Sequence, residues 1–289
     1  MGTTVGVLGA NGVYGRHLLP RLTARGHRVV ALVRRPDAAA SAAAAGAEVR
    51  RADVFDGASL RDALVGCDVG INLVTSLPAP GKTTGDFAAN DRVRREGTPI
   101  WVQACRDVGV GRIVQQSIAM VNAAGDAEAD EDTMLPAGDD VAGQAIAAAR
   151  AMEDTIRASG LDWVILRGGL FYGPGTGFDD DWFARARAGR LRLPGDGRDW
   201  VSLVHIADMT EATVATLDRW PSRRPLIVAD DRPSRWSEIF AHIAALAGGP
   251  RPEPGGRAGF PSFRVRNTRA RDTLAWRPHY ADYRSGLAR

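Results

Sequence analysis

Three glycines near the N-terminus, Gly9, Gly12 and Gly15, have the spacing of a phosphate-binding turn. An apolar run at residues 5–8 precedes them, and a helix-like segment at residues 16–25 follows. Such a turn lets the backbone approach a pyrophosphate, and the free N–H groups and dipole of the helix N-terminus favour its negative charge. The spacing predicts a dinucleotide pocket, with a tight β–α turn that binds nothing as the alternative.

Two arginines, Arg34 and Arg35, follow the second strand candidate at residues 28–33. In a Rossmann domain, this position offers an acid to the ribose 2′-hydroxyl of NAD, or an arginine to the 2′-phosphate of NADP. Two arginines without an acid favour NADP over NAD. The alternative is a basic turn that is simply solvated.

The composition indicates a globular protein and argues against several other classes. The 289 residues are 45% hydrophobic, which suits one large α/β domain or a nucleotide domain with a smaller lobe. No apolar run is long enough to cross a membrane, and the early first strand leaves no room for a signal peptide. Cys67 and Cys105 match no metal-site spacing, so we expect a cytoplasmic protein without a structural metal. The net charge of +3 is dispersed, which argues against nucleic acid as a partner.

Strand and helix candidates alternate in the N-terminal half, which predicts parallel βαβ units. The strand candidates are residues 4–8, 28–33, 48–51, 69–74, 111–116 and 163–166. The helix candidates are residues 13–25, 37–45, 58–65, 86–108 and 142–159. Beyond residue 167, glycine and proline become frequent. We expect an α/β protein with a Rossmann doubly wound parallel sheet (residues 1–175 and 200–229) and a smaller C-terminal substrate lobe (176–199 and 230–289).

Further segments along nearly the whole chain match the motifs of one superfamily. These are Asp53-Val54, Asn72-Leu73-Val74, Ser117 and residues 131–136, 166–173, 201–208 and 274–278. Together with the glycine turn, they resemble the extended branch of the short-chain dehydrogenases/reductases, which includes NAD-dependent epimerases and dehydratases, and its NmrA-like relatives. The resemblance implies a small-molecule substrate and a possible homodimer through residues 86–108 and 142–159.

The resemblance also implies which residues contact the cofactor. The glycine turn would hold the pyrophosphate, the arginines the 2′-phosphate, and the later segments the adenine and nicotinamide. The implied set is Gly9, Asn11, Gly12, Val13, Tyr14, Gly15, Arg34, Arg35, Asp53, Val54, Leu73, Val74, Gly169 and Leu170.

One element of the superfamily is missing, the Tyr-x-x-x-Lys pair on the helix after the serine. In these enzymes the tyrosine exchanges a proton as hydride moves, and the lysine lowers the tyrosine pKa and holds the nicotinamide ribose. Aligning Glu153 with the acid that commonly follows the lysine puts Ala145 at the tyrosine and Ala149 at the lysine. The only lysine is Lys82. Since a placed proton donor contributes about 10²–10⁴ in rate, its loss predicts altered chemistry.

Three residues are candidates for the remaining chemistry. Ser117 matches the family's active-site serine and would hydrogen-bond a substrate oxygen; a strand-end serine that satisfies backbone is the alternative. Tyr172 would supply a hydroxyl from a new direction. Asp140 would replace the lost proton donor, unless it caps the following helix.

Three functions remain open at this point. The first is an NADP(H)-dependent reductase or epimerase-like enzyme acting on a small oxygenated metabolite, in specialised metabolism. The second is a non-redox cyclase, isomerase or lyase on the same scaffold. The third is a non-catalytic NADP-binding sensor. We favour the first because the cofactor half and a substrate lobe are both present.

Overall fold

The computed structural model describes residues 2–77, 87–134, 136–257 and 259–287, so Lys82 lies outside the described residues. The strands are β1 (Thr4–Leu8), β2 (Arg28–Val33), β3 (Glu48–Arg51), β4 (Val69–Asn72), β5 (Arg112–Ile118), β6 (Glu128–Ala129), β7 (Asp162–Gly168), β8 (Leu170–Tyr172), β9 (Arg192–Pro194), β10 (Trp200–Val201), β11 (Leu203–His205), β12 (Arg224–Val228), β13 (Ser234–Arg235), β14 (Glu253–Gly256) and β15 (Arg264–Val265). The α-helices are α1 (Val13–Ala24), α2 (Ala40–Ala44), α3 (Gly57–Leu64), α4 (Ala88–Arg92), α5 (Thr98–Asp107), α6 (Val141–Arg157), α7 (Phe178–Arg187), α8 (Ile206–Arg219), α9 (Trp236–Ala247), α10 (Thr268–Leu274) and α11 (Tyr283–Gly286).

Seven parallel strands form the main sheet, in the order β12-β7-β5-β4-β1-β2-β3. The chain first builds β1, β2 and β3 to one side and then continues with β4 on the other side of β1. This reversal opens a crevice at the carboxyl ends of β1 and β4, where ligands of doubly wound sheets bind. The observed sheet confirms the predicted α/β fold class.

Helices cover both faces of this sheet, because its strands are apolar on both sides. Along β2, Val29, Ala31 and Val33 face the core that α1 and α8 complete, while Val30 and Leu32 face α3 and α5. A second core, which includes side chains of α7 and α9, lies beyond the sheet. The domain boundaries stay a prediction; the structure adds that α10 packs on the α1–α8 side.

Several predicted elements differ from those observed. The helix expected over residues 37–45 is a 3₁₀ turn at Pro36–Ala38 followed by α2, and the strand expected over residues 69–74 ends at Asn72. The helix expected over residues 86–108 consists of α4, a π-helical turn at Val93–Gly97 and α5. At the end of this turn Gly97 packs so tightly that an added Cβ would lie 2.7 Å from Val54 Cγ2, and Pro99 stands in the first turn of α5. Strand β5 extends to Ile118 because it stays paired with β7 along its whole length. None of the described helices is long and apolar enough to span a membrane.

Candidate functional site

The glycine turn lies at the carboxyl end of β1 and depends on the absence of side chains. Gly9 has a φ of +84°, and an added Cβ would lie 3.0 Å from the carbonyl carbon of Leu73. The Gly12 N–H donates to the Gly9 carbonyl at 2.9 Å, which closes the turn. At Gly15, a Cβ would lie 2.3 Å from the carbonyl oxygen of Ala10, so only glycine lets α1 start this close to the turn. These positions explain all three glycines.

The first turn of α1 is open to an anion. Gly12 is the N-cap of α1 and offers no side-chain cap to the N–H groups that lack a helical partner. Asn11 Oδ1, a hydrogen-bond acceptor, is buried without a partner in the described parts of the chain, which fits a hydroxyl of a ligand rather than its phosphate. Free amides at a helix N-terminus and a bare backbone fit a dinucleotide pyrophosphate. The residues present therefore suit the diphosphate of a dinucleotide.

A cleft of about 360 Å³ extends from this turn along the carboxyl ends of the strands. Nine of the predicted cofactor residues line it: Gly9, Asn11, Gly12, Arg34, Arg35, Asp53, Val54, Leu73 and Val74. They converge because the carboxyl ends of β1, β2, β3 and β4 meet at one edge of the sheet. Their role as cofactor contacts remains a prediction.

One end of the cleft carries a contact that sequence reasoning missed. The Arg92 guanidinium lies 4.5 Å from the centre of the exposed Phe55 ring, and both residues line the cleft beside Asp53. Asp53 Oδ1 accepts a 3.0 Å hydrogen bond from the Phe55 N–H. Phe55 was detectable, because it directly follows Asp53-Val54. Arg92 had no sequence signal, since it arrives from α4.

The two arginines after β2, Arg34 and Arg35, have side chains that form no ion pair with the described residues. Both side chains are exposed, and neither makes a hydrogen bond or ion pair with another residue that the structure describes. Arg34 and Arg35 both line the cleft. Their position and freedom support the expected interaction with a phosphate.

Five predicted cofactor residues do not line the cleft: Val13, Tyr14, Gly15, Gly169 and Leu170. The Tyr14 hydroxyl lies 2.5 Å from Thr213 Oγ1, and its ring is buried between α1 and α8. Leu170 is buried in the second core. A Cβ on Gly169 would lie 2.7 Å from the Ser202 carbonyl, so this glycine serves close strand packing. The side chains of Tyr14 and Leu170 are thus engaged in packing, and a cofactor contact by these five residues stays a prediction.

Ser117 was expected to face the substrate, and the structure corrects this. Its side chain is on the α6 face of the sheet, where the hydroxyl donates a 2.7 Å hydrogen bond to Glu153 Oε1. Arg167 Nε and Nη2 bind the two oxygens of the same carboxylate at 2.9 and 2.6 Å. Ser117 is only 2% exposed, and Glu153 and Arg167 are completely buried. The serine therefore belongs to a buried ionic cluster.

The ionisation of Glu153 depends on that cluster. Burial alone would raise its pKa, but the hydrogen bonds and charge of Arg167, with Ser117 and Arg157, hold the pKa below its usual value. Glu153 is therefore an anion whose negative charge is balanced by Arg167 and Arg157. It is not a proton donor for a substrate.

The other two catalytic candidates are also engaged in structure. Tyr172 is completely buried, and its hydroxyl donates to the Asp282 carbonyl at 3.3 Å. Burial, reinforced by the nearby Asp230 carboxyl, raises the Tyr172 pKa far above its usual value. Asp140 is the N-cap of α6, and its carboxylate accepts a 2.8 Å hydrogen bond from the Gly143 N–H. The capping alternative for Asp140 is confirmed, and this geometry does not support the predicted catalytic roles of Tyr172 and Asp140.

The helix α6 itself presents an apolar surface where the missing pair would stand. Ala149 is completely buried in a small cluster with Val121 and Ile146. Ile118 and Met120 pack against the same cluster. A lysine at position 149 would have to enter this apolar cluster. Among the described residues, no three or more His, Cys, Asp or Glu side chains are grouped to hold a metal ion.

The comparisons with known proteins agree with this geometry. A family described as NAD(P)H-binding matches residues 9–179. A 3-diazoavenalumate denitrifying reductase from a Streptomyces species is 34% identical over 98% of this chain and 98% of its own. A 4-hydroxy-2-methyl-3-oxo-4-farnesyl-3,4-dihydroquinoline-1-oxide ketoreductase from Stigmatella aurantiaca is 30% identical over 78% of this chain and 68% of its own.

The fold is shared with solved epimerases. The UDP-glucose 4-epimerase of Thermus thermophilus, in complex with NAD, superimposes with a TM-score of 0.80 at 21% identity. The match covers 99% of this chain and 96% of the epimerase. The family match places this chain among NAD(P)H-binding proteins, and the likeness to the solved epimerase shows that the fold is shared.

Proposed function

The chain belongs to the NAD(P)H-binding family and to the extended short-chain dehydrogenase/reductase superfamily, and from that premise we propose that it is an NADPH-dependent reductase without a side-chain proton donor. Its substrate is a small oxygenated metabolite of specialised metabolism. The observation that carries the proposal is the pairing of an open cofactor cleft with Ala145 and Ala149 on α6. The cofactor half is present, and the proton-transfer half is replaced by alanine.

In this proposal, the residues of the chain bind and orient the cofactor and the substrate. The bare turn at Gly9 and Gly12 and the α1 N-terminus hold the pyrophosphate, and Arg34 and Arg35 hold the 2′-phosphate. A bound nicotinamide would supply hydride. The apolar surface at Ile118 and Met120, beside α6, would exclude water from a substrate bound there, which strengthens electrostatic interactions.

A substrate that needs no proton from the enzyme fits this site best. Reduction of a carbonyl leaves an alkoxide, which requires a proton. Reduction of an aryl diazonium carbon does not, because hydride forms the new C–H bond while the C–N bonding electrons leave with dinitrogen. The Streptomyces relative is named as a reductase of a diazo compound, which supports this substrate class for the present chain.

The test is NADPH oxidation at 340 nm with an aryl diazo acid and, as matched control, the aryl ketone of the same skeleton. We expect protein-dependent loss of absorbance, dinitrogen release and deuterium from [4-²H]NADPH in the product with the diazo acid, and little turnover of the ketone. A protein-free reaction corrects for direct reduction of the diazo group. Faster turnover of the ketone, or dinitrogen release at full rate without nicotinamide, would overturn the proposal.

A further inference from the structure

A buried arginine lies beside the position of the missing tyrosine. Arg94 stands in the π-helical turn between α4 and α5, with only 9% of its side chain exposed. Its Nη1 donates a 2.9 Å hydrogen bond to the carbonyl of Ala145, the residue that aligns with the tyrosine. π-Helical turns within α-helices frequently occur at functional sites. The π-helical turn packs against α6, which brings Arg94 to the Ala145 carbonyl.

Most hydrogen-bonding capacity of Arg94 is unused within the described chain. A guanidinium has five N–H donors, and one of them binds the Ala145 carbonyl. The nearest carboxylate oxygen, Asp91 Oδ1, lies 3.9 Å from Nη1, which is beyond hydrogen-bond length. Burial lowers the pKa of Arg94, although it stays a cation in proteins. None of the Arg94 nitrogens is among the fully buried atoms without a hydrogen-bond partner, so its other donors remain accessible to a ligand.

The nearby buried acid does not neutralise Arg94. The Glu153 carboxylate is bound by Arg167 through both oxygens and also by Arg157 at 2.8 Å. Arg150 adds a further cation on α6, and its Nε is buried without a partner in the described residues. Arg94 therefore has one carboxylate within ion-pair distance among the described residues, Asp91, at 3.9 Å. A guanidinium with a single distant counter-ion can still bind an anion by charge-assisted hydrogen bonds.

We propose that Arg94 binds an anionic oxygen of the substrate beside Ala145, where the family's tyrosine would otherwise meet it. The proposal rests on the proposed function, since it places the substrate of that same site. The guanidinium does not give up a proton, so it anchors an oxyanion rather than replacing the tyrosine as an acid. The apolar cluster with Ile118 and Met120 suits a flat unsaturated body attached to that oxyanion. A substrate with a carboxylate or phenolate on an aromatic frame meets both requirements.

The test measures binding to the protein saturated with NADP⁺, by calorimetry and without turnover. The carboxylate probe is cinnamate, with methyl cinnamate as its neutral match; the phenolate probe is 4-nitrophenolate, matched by 4-nitroanisole. The variants are Arg94→Met, which removes the charge, and Arg94→Lys, which keeps the charge but lacks the planar set of guanidinium N–H donors. The control is Arg106→Met, an exposed arginine at the end of α5.

We expect the wild type to bind at least one anion more tightly than its neutral match. Arg94→Met should weaken the anion about 10-fold or more and leave the neutral probe and NADP⁺ unchanged, because charge-assisted hydrogen bonds contribute about 1.5–3 kcal/mol. Arg94→Lys should retain part of the preference, and Arg106→Met all of it. If cinnamate shows the preference, the group that Arg94 binds is a carboxylate. If 4-nitrophenolate shows it, the group is a phenolate.

Equal loss for charged and neutral probes, or a loss confined to NADP⁺, would overturn the proposal. If both Arg94 variants fail to fold, the wild type alone decides, because equal affinity for cinnamate and methyl cinnamate, and for 4-nitrophenolate and 4-nitroanisole, contradicts an oxyanion site. These outcomes are separate from the turnover test. A protein that binds the anion through Arg94 and yet oxidises no NADPH would refute the reductase and keep the anion site.

Discussion

The Ser117 hydroxyl is committed to Glu153, 2.7 Å from Oε1, inside the sheet–α6 interface. Register explains the contact: Ser117 in β5 is paired with Arg167 in β7, so both side chains leave the sheet on the same face. There they meet Glu153 from α6 and satisfy its carboxylate. A residue type that the superfamily uses for chemistry is here part of what attaches α6 to the sheet.

Ser117→Ala should therefore affect stability more than activity. It removes one hydrogen bond to a buried carboxylate that keeps its Arg167 contacts, so we expect a loss of about 1–2 kcal/mol in the free energy of unfolding. Turnover of NADPH at 340 nm should change less than about threefold, whereas loss of a catalytic proton-transfer group costs about 10²–10⁴. Urea unfolding and initial rates check the two expectations.

Ser222→Ala is the matched control, because Ser222 makes a 2.6 Å hydrogen bond to Asp162 at an exposed position. This variant should lose about 0.5 kcal/mol or less, since solvent replaces the partner. A hundredfold fall in turnover for Ser117→Ala, at unchanged unfolding free energy, would restore the serine to the active site.

Glu153→Gln should be among the most destabilising conservative changes in the chain. It leaves the buried Arg167 without its anion, and breaking such a pair from one side costs about 3–5 kcal/mol. The pKa of Glu153 is lower in the folded protein than the unfolded value of about 4.3. The stabilisation by its carboxylate is therefore complete above about pH 4.3 and is lost as the pH falls through the folded pKa.

The measurement is urea unfolding of wild type and Glu153→Gln from pH 7 downwards. The difference in unfolding free energy should be largest at neutral pH and shrink below about pH 4.3. Asp154→Asn is the control, because Asp154 is 75% exposed and pairs with Arg157 at 3.2 Å. It should cost about 0.5 kcal/mol or less. A difference that grows on acidification would show that the folded pKa of Glu153 is raised instead.

The cofactor half of the site was predictable because it depends on strand order. Gly9 and Arg34 follow β1 and β2, and parallel neighbours bring their carboxyl ends to one edge. The resemblance to the superfamily named Asp53 and Leu73 as cofactor contacts, and both line the cleft; their contact with a cofactor stays a prediction. Backbone conformation also had a sequence signal, since positive φ and close approach at Gly9 exclude other residues.

The substrate half was not predictable in the same way. A motif match identified Ser117 without showing that Arg167 and Glu153 would meet on its side of the sheet. Arg94 carried no signal, because its burial depends on how the π-helical turn packs against α6. Side-chain partners across different elements are set by tertiary packing, which spacing along the chain does not encode.

Gly12→Ala should weaken cofactor binding with little effect on the fold. The added Cβ would lie 3.2 Å from the Gly9 carbonyl oxygen and stand where the pyrophosphate must approach the backbone. We expect the Kd for NADPH to rise about 10-fold or more, which is about 1.4 kcal/mol, in a fluorescence titration.

Gly111→Ala is the matched control, since a Cβ there meets nothing within 4 Å. It should leave the NADPH Kd unchanged. If Gly12→Ala binds NADPH as tightly as the wild type, the cofactor does not cross the turn at this residue.

Arg34→Ala combined with Arg35→Ala should change which nicotinamide the protein prefers. Each arginine is exposed, lines the cleft and has no ion-pair partner among the described residues, so its charge is available to a 2′-phosphate. Removing charge-assisted contacts worth about 1.5–3 kcal/mol should raise the NADPH Kd about 10- to 150-fold. The NADH Kd should change about threefold or less, because NADH has a 2′-hydroxyl in that place.

Fluorescence titrations at two salt concentrations measure both Kd values, and the wild-type preference for NADPH should weaken as salt screens the contact. Arg106→Ala, an exposed arginine on α5, should leave both Kd values unchanged. Equal weakening of NADH and NADPH would assign the two arginines to general attraction and contradict the predicted preference for NADP.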